Sequence, residues 1–490
     1  MFPKRRWRLP VATALAVTVA TALVTPAAAA TPEAPEAPAA TRQAAAPPQC
    51  DTSSAPYSYV VLFQPRTPPS RAQSELRSHC AAPVAYYPEI GVAVAASRNA
   101  DFAATIGPRR AYSAGREMAV PPATAPASSR AAARSASGAA RAMERTSDVP
   151  AAEDLAAQQW DMRAIKATEA NKVDQGSRSV TVGVIDSGIE PTHPALRNAI
   201  DPTTSVGCVK GAPDRSPAAW APTSSDHGTH VAGTIAGRDA ARGFSGIAPG
   251  VRLASVKVVA ETGYIFPEAA VCGFMWAAEH RFQVTNSSYY IDPGMFYCPG
   301  QPGDSAAFEA VRRAVSYATG HGVLNVVAAG NSGFDIPAQT TDPVRGRPLD
   351  GGCAILPQGI DGVVTVSAVG YAGTKASYSN FGPGEVDVAA PGGDGAQLPP
   401  PGEGAFCPLS AVVGGGYGTK CGTSMAAPHA TGVAALLAGR YPGASPARLA
   451  RLLADRADPV PCDESPGCSG PDRNNSFYGG GLVNALRAVR

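Results

Sequence analysis

The sequence predicts an α/β fold: a three-layer domain with a mostly parallel central sheet over residues 151–490, preceded by a small α+β domain over residues 50–115. Two observations carry this. Beyond residue 151, short runs of Val, Ile and Ala alternate with small-residue segments of helical length, the pattern of βαβ units. Before it, a compact stretch with its own apolar runs gives way to a segment rich in Pro, Ala, Ser and Arg, which reads as an accessible linker over 116–150.

Taken in order, residues 1–30 hold Lys4, Arg5, Arg6 and Arg8, then an uncharged apolar run over 9–24, then Ala27 to Ala30. That is the layout of a secretory signal peptide; a retained membrane anchor is the competing reading, and the small-residue cleavage site directly after the apolar run favours removal. No later stretch approaches the roughly 18 apolar residues that span a bilayer. The expectation is a secreted, extracellular product, monomeric and without a membrane partner once the signal is gone. Residues 31–49 form an Ala/Pro-rich spacer. In the small domain, residues 59–63 read as a buried strand and 69–80 as a helix. Residues 84–96 read as strand material turned at 88–91, and Asn99 caps a short helix that runs to Ile106.

In the large domain, residues 180–185, 253–259, 283–285, 323–329 and 363–368 read as strands. Their nearly continuous β-branched hydrophobicity suits burial on both faces. Residues 227–237, 268–279, 305–320, 424–440 and 446–457 read as the intervening helices. A net charge of +2 gives no electrostatic reason for nucleic acid or an anionic membrane as the main partner. Ten cysteines without a Cys-x-x-Cys suit disulfides in an oxidising compartment better than zinc, and the close pairs Cys462 with Cys468 and Cys407 with Cys421 are candidate loops.

The chemistry collects at the strand ends. Asp186 follows the run 180–185 and stands where a parallel sheet gathers its functional loops, although a lone Asp there is ordinarily a turn former. His227 opens a Gly- and Ala-rich helix that can lie close to a sheet, and imidazole is the natural general base near neutral pH. His227 and His230 do not have the His-Glu-x-x-His spacing of a zinc peptidase. Ser424 starts a helix apolar around most of its circumference, so its hydroxyl would stand among backbone N–H groups at the positive end of the dipole; a plain N-cap is the bland alternative. Pro428 is expected to sit in the first turn, which has no use for its missing N–H. Asn331, after the strand that ends in Ala328, Ala329 and Gly330, offers an amide that can donate to an oxyanion.

The order Asp, His, Ser excludes the α/β-hydrolase pattern, in which Gly-x-Ser-x-Gly comes first; position 426 here is Ala. Together, the segments around Asp186, His227, Asn331 and Ser424 resemble the subtilisin-like (subtilase) serine peptidases. The resemblance covers roughly residues 155–490 and includes Gly246 to Pro249 and Tyr478 to Asn484. It implies a secreted serine endopeptidase acting on polypeptides. In it Ser424 is the nucleophile, His227 the base and later the acid, and Asp186 the group that orients the imidazole. Asn331 and the Ser424 N–H would form the oxyanion hole, with Ser288, Ala328, Ala329 and Gly330 as substrate walls and no cofactor required. Residues 57–115 look like the family's inhibitory propeptide, which implies a self-processed zymogen whose C-terminal strand enters the groove. A dedicated maturation protease for one partner, or an inactive scaffold of the same fold, is the alternative. Two departures stand out. Tyr289 and Tyr290 replace the Leu-Gly common in relatives, which predicts a narrower or rearranged groove. Ala195 and Ala240 occupy the positions where relatives place calcium ligands, so the usual site is lost and calcium is left only as a structural ion elsewhere.

Overall fold

The computed structural model describes residues 50, 56–119, 154–463 and 465–490. The regions expected to be a signal peptide over 1–30, a spacer over 31–49 and nearly all of a linker over 116–150 lie outside the described residues.

The small unit is a four-stranded antiparallel sheet in the order β2-β3-β1-β4, built from β1 (Tyr57–Leu62), β2 (Ala81–Tyr87), β3 (Val92–Ser97) and β4 (Ala111–Tyr112). Helix α1 (Pro69–Ser78) and the single turn α2 (Phe102–Ile106) cover one face, around Tyr59, Val61, Leu76, Ala93 and Phe102. The unit continues past its expected end. After β4, which pairs Tyr112 with Val60, the chain forms helix α3 (Ala114–Ala119), so the boundary drawn at 115 falls inside a helix. β4 is an edge of this sheet.

The large domain is built on seven parallel strands in the order β11-β10-β9-β8-β5-β7-β6. They are β5 (Thr181–Asp186), β6 (Val206–Gly207), β7 (Arg252–Lys257), β8 (Val284–Ser287), β9 (Leu324–Ala328), β10 (Val363–Val369) and β11 (Val388–Pro391). Helix α4 (Trp160–Ala164) precedes the sheet in sequence. On one face α5 (His227–Ala236), α8 (Thr423–Arg440) and α9 (Pro446–Asp455) close over Val182, Val184, Val326 and Val366; on the other α6 (Pro267–Glu279) and α7 (Asp304–Gly320) close over Ile185, Val256, Val327 and Val363. This gives the three layers expected from sequence. Alternate residues of one strand supply both cores, which is why the strands read as continuous apolar runs. Strand order reverses at β5: the chain adds β6 and β7 on one side and β8 to β11 on the other, which opens a crevice outside the carboxyl ends of β5 and β8.

The small sheet lies on the α6–α7 layer. Val60, Val92 and Tyr112 join the same buried cluster as Phe274 and Ala310. Arg313 of α7 donates to the carbonyls of Phe63 at 2.8 Å and Ile90 at 2.9 Å, and the Tyr87 hydroxyl donates to Gly211 O at 2.9 Å. All ten cysteines are paired: Cys50–Cys80 within the small unit, and Cys208–Cys272, Cys298–Cys353, Cys407–Cys421 and Cys462–Cys468 in the large one. Both close pairs expected from sequence are among them.

Candidate active site

Asp186 is the last residue of β5 and its side chain is 2% exposed, while His227 is the first residue of α5 and is 19% exposed. Nδ1 of His227 lies 2.8 Å from Asp186 Oδ1, which also accepts the Ser187 N–H at 2.7 Å. The carboxylate therefore fixes the tautomer: Nδ1 carries the hydrogen, which leaves the ring's lone pair on Nε2. The close approach depends on Gly228. A Cβ there would lie 2.4 Å from Gly188 O, so only glycine lets α5 start this close to the end of β5. His230, one turn further, is fully buried, and burial, followed by the charges of Lys420 and His227, holds it well below the usual imidazole range. Its Nε2 meets Gly418 O at 3.2 Å, which docks the hairpin of β12 (Leu409–Val412) and β13 (Gly416–Thr419) against α5. Its role here is structural.

Ser424 is the second residue of α8 and half-buried. The helix begins at Thr423, so Pro428 lies beyond the first turn, contrary to the expectation from sequence. Its missing N–H leaves the Ser424 carbonyl without a helical partner. The Ser288 hydroxyl fills the gap, donating to Ser424 O at 3.0 Å. Ser288 is itself oriented by a buried relay in which the Thr431 hydroxyl donates to Asn286 Oδ1 at 2.9 Å and Asn286 Nδ2 donates to Ser288 Oγ at 2.9 Å. In return the Ser424 hydroxyl donates to Ser288 O at 3.2 Å. The loop after β8 and the start of α8 are thus joined by two reciprocal bonds.

Asn331 follows β9. Its Oδ1 accepts from Thr423 N at 2.8 Å and from Thr423 Oγ at 2.7 Å. With the oxygen fixed by two donors, Nδ2 is the end that remains to donate outward. Gly422, beside that nitrogen, is held at φ +151, a conformation that L side chains rarely adopt. Gly330, at φ +100, is restricted too, since a Cβ would lie 2.5 Å from Asn380 Nδ2. That same amide donates to Ala329 O at 3.0 Å, and Gly330 N donates to Thr423 Oγ at 3.1 Å. Ala329 and Gly330 therefore have their polar groups engaged; Ala328 and Ala329 are buried, Ala329 completely, and of the three only Gly330 is part-exposed. Tyr289 and Tyr290 are both half-buried. Tyr289 packs toward the α6–α7 layer, and Tyr290 packs with Met295, Phe296 and Ile336.

Sequence reasoning missed Thr423, Thr431, Asn286 and Asn380, which orient the residues it named. Thr423 and Thr431 lie close to Ser424 in the chain, but their partners lie 92 and 145 residues away, beyond the reach of local pattern.

Neither position of the expected calcium site fits a hard cation, which takes oxygen ligands. The Ala195 methyl is buried with Leu155, Phe244 and Tyr417, and Ala240 is exposed. The grouping of Cys298, Asp350 and Cys353 found among the described residues has both sulfurs in a disulfide. Chelation by EDTA is expected to leave the melting temperature within a few degrees. A fall of tens of degrees in a thermal scan would show that another site holds a structural ion.

A family model described as the subtilase family (Peptidase_S8) matches residues 177–481. Fervidolysin of Fervidobacterium pennivorans is 31% identical over 321 residues, which cover 62% of this chain but only 41% of that protein. Subtilisin DY of Bacillus licheniformis is 30% identical over 326 residues, covering 66% of this chain and 96% of that one. Among solved structures, the epidermin leader peptide processing serine protease of Staphylococcus aureus is similar with a TM-score of 0.67 at 20% identity, covering 89% of this chain and 98% of its own. The nisin leader peptidase of Lactococcus lactis gives a TM-score of 0.53 at 23% identity, covering 69% and 95%.

Proposed function

We propose, from the premise that this chain belongs to the subtilase family and is a serine endopeptidase, that it is exported as a precursor and cleaves polypeptides through an acyl-enzyme on Ser424. The observation that carries the assignment is the 2.8 Å bond between Asp186 and His227 at the sheet's switch point, on the same edge as the fixed amide of Asn331 and the start of α8. In this reading the Ser424 hydroxyl turns from Ser288 O toward Nε2 of His227, which takes its proton as Oγ attacks the scissile carbonyl. Asp186, buried and aligned, stabilises the imidazolium that forms. Asn331 Nδ2 and the Ser424 N–H receive the oxyanion, in a setting where the donors cost no reorganisation. The imidazolium then gives its proton to the leaving amine, and water, activated by the same ring, hydrolyses the acyl group. Gly330, with the edges of Ser288 and Ala328, lies beside the bound peptide, and the wholly buried Ala329 backs this wall without touching it. The chemistry needs no cofactor.

We further read residues 50–119 as an inhibitory propeptide, released by cleavage between 119 and about 155. Support comes from the buried contact of its sheet with α6 and α7, and from the ion pairs of Glu117 with Arg345 at 3.5 Å and Arg347 at 3.6 Å. The fold match to the epidermin protease, which covers 89% of the chain, also extends well ahead of residue 177. A tether of this length keeps the local concentration of the unit near roughly millimolar, an advantage that cutting the linker removes. Purified residues 50–119 are expected to inhibit casein hydrolysis by the mature enzyme when added separately; absence of inhibition at micromolar concentrations would overturn the reading. A dedicated maturation protease is the second reading, suggested by the tyrosines beside Ser288, and a casein assay separates it from a general degrader.

A further inference from the structure

The helix that carries Ser424 contains a second Asp–His pair, remote from solvent. Asp161 of α4 and His429 of α8 are both wholly buried, with His429 Nε2 2.9 Å from Asp161 Oδ2. The other ring nitrogen, Nδ1, lies 2.7 Å from Met425 O. A carbonyl can only accept, so Nδ1 carries a hydrogen. In a neutral ring with an ionised Asp161, the bare lone pair of Nε2 would then face a carboxylate oxygen with no hydrogen between them. One hydrogen between them, on Nε2 or on Asp161 Oδ2, removes the conflict. Among the described residues no other ionisable side chain bonds to either partner, and Asp161 Oδ1 is buried without a partner. The carboxylate therefore has the imidazole as its single counterpart.

We propose that Asp161 and His429 form a buried hydrogen-bonded pair that positions the turn bearing Ser424, an inference that rests on the reading of Ser424 as nucleophile. That turn is short of a rung, because Pro428 cannot donate to Ser424 O. Ser288 holds the Ser424 carbonyl from the β8 side. His429 holds the next carbonyl, that of Met425, and Asp161 fixes the ring that does so. Asp161 lies on α4, the first described α-helix after the linker, and is anchored by its neighbour, since Trp160 Nε1 donates to Ala405 O at 2.9 Å. The segment that becomes N-terminal on cleavage thus reaches the nucleophile turn through one buried hydrogen bond. Both are positioning residues and touch no substrate.

The test has two parts. In mature enzyme labelled with ¹⁵N-histidine, the His429 ring, identified by the signal lost in His429→Gln, is expected to carry hydrogen on Nδ1 and to show an Nε2 resonance that moves in Asp161→Asn. A ring with Nδ1 bare, or an Nε2 resonance indifferent to Asp161→Asn, would overturn the pairing. In the second part, Asp161→Asn and Asp161→Glu are assayed per active site titrated with a fluorophosphonate, so that misfolded protein does not count. Asp161→Asn is expected to lower kcat about ten- to a hundredfold, with KM moving less than about twofold, and Asp161→Glu to recover part of the loss. An unchanged kcat per titrated site, with only a lower Tm, would overturn the positioning role. Failure of wild-type enzyme to react with the fluorophosphonate would overturn the Ser424 reading instead and leave the pairing standing.

Discussion

Ser424→Ala is expected to lower kcat by about 10⁶-fold, the size of loss found when a subtilisin loses its nucleophile, and to leave the precursor at full length when expressed alone. In the proposed mechanism no acyl-enzyme forms without Oγ, and neither Asn331 nor His227 can replace it. The fold should persist. The bond that ties the α8 start to Ser288 is made by the Ser424 backbone carbonyl, which alanine retains, and what is lost is a single hydroxyl bond from a half-buried side chain. A bond of that kind is worth about 1 kcal/mol, so the Tm should move by only a few degrees. Casein turnover and intact mass check this in one preparation. Residual activity within a hundredfold of wild type would remove Ser424 from the mechanism, and trimming of the pure mutant to mature size would remove self-processing.

Asn331→Ala is expected to cost about 10² to 10³-fold in kcat with little change in KM, since its amide would bind the oxyanion and not the ground-state carbonyl; that range is borrowed from the loss of the corresponding asparagine donor in a subtilisin. Alanine also releases Thr423 N and Oγ, which Asn331 Oδ1 now accepts, so a loss in this variant alone could reflect disorder of the α8 start. Asn331→Asp separates the two effects. A carboxylate keeps both bonds from Thr423 but cannot donate, and its charge opposes the oxyanion. The expected order of kcat is therefore wild type, then Ala, with Asp at or below Ala. Recovery of activity in Asn331→Asp would mean that the acceptor to Thr423, and not the donor, is what the reaction needs.

The layers of the fold are legible in the sequence because the central strands are buried on both faces and read as unbroken apolar runs. What escapes is short or paired at long range. Val206–Gly207 and Val388–Pro391 are edge strands of two and four residues, too brief for periodicity. Ala111–Tyr112 is a strand only because Val60, about 50 residues earlier, lies beside it, and the composition around it reads as linker. The same division holds for the site. Asp186, His227, Asn331 and Ser424 stand in local motifs whose residue types suit their chemistry. The groups that orient them do not: Asn286 reaches Ser288 through a bond set by Thr431, and Asp161 meets His429 across 268 positions. Cys462–Cys468 and Cys407–Cys421 close loops of 6 and 14 residues and are suggested by proximity, whereas Cys208–Cys272 spans 64 and leaves no local trace.

The central claim is that Ser424 is a nucleophile activated by His227, and covalent trapping tests it most directly. A fluorophosphonate probe applied to the mature enzyme, followed by tryptic mass mapping, is expected to place one adduct on the peptide containing Ser424, formed in proportion to lost casein hydrolysis and slowed by orders of magnitude in His227→Ala. An enzyme that cleaves casein yet carries its adduct on another serine, or that stays active with Ser424 fully modified, would contradict the account.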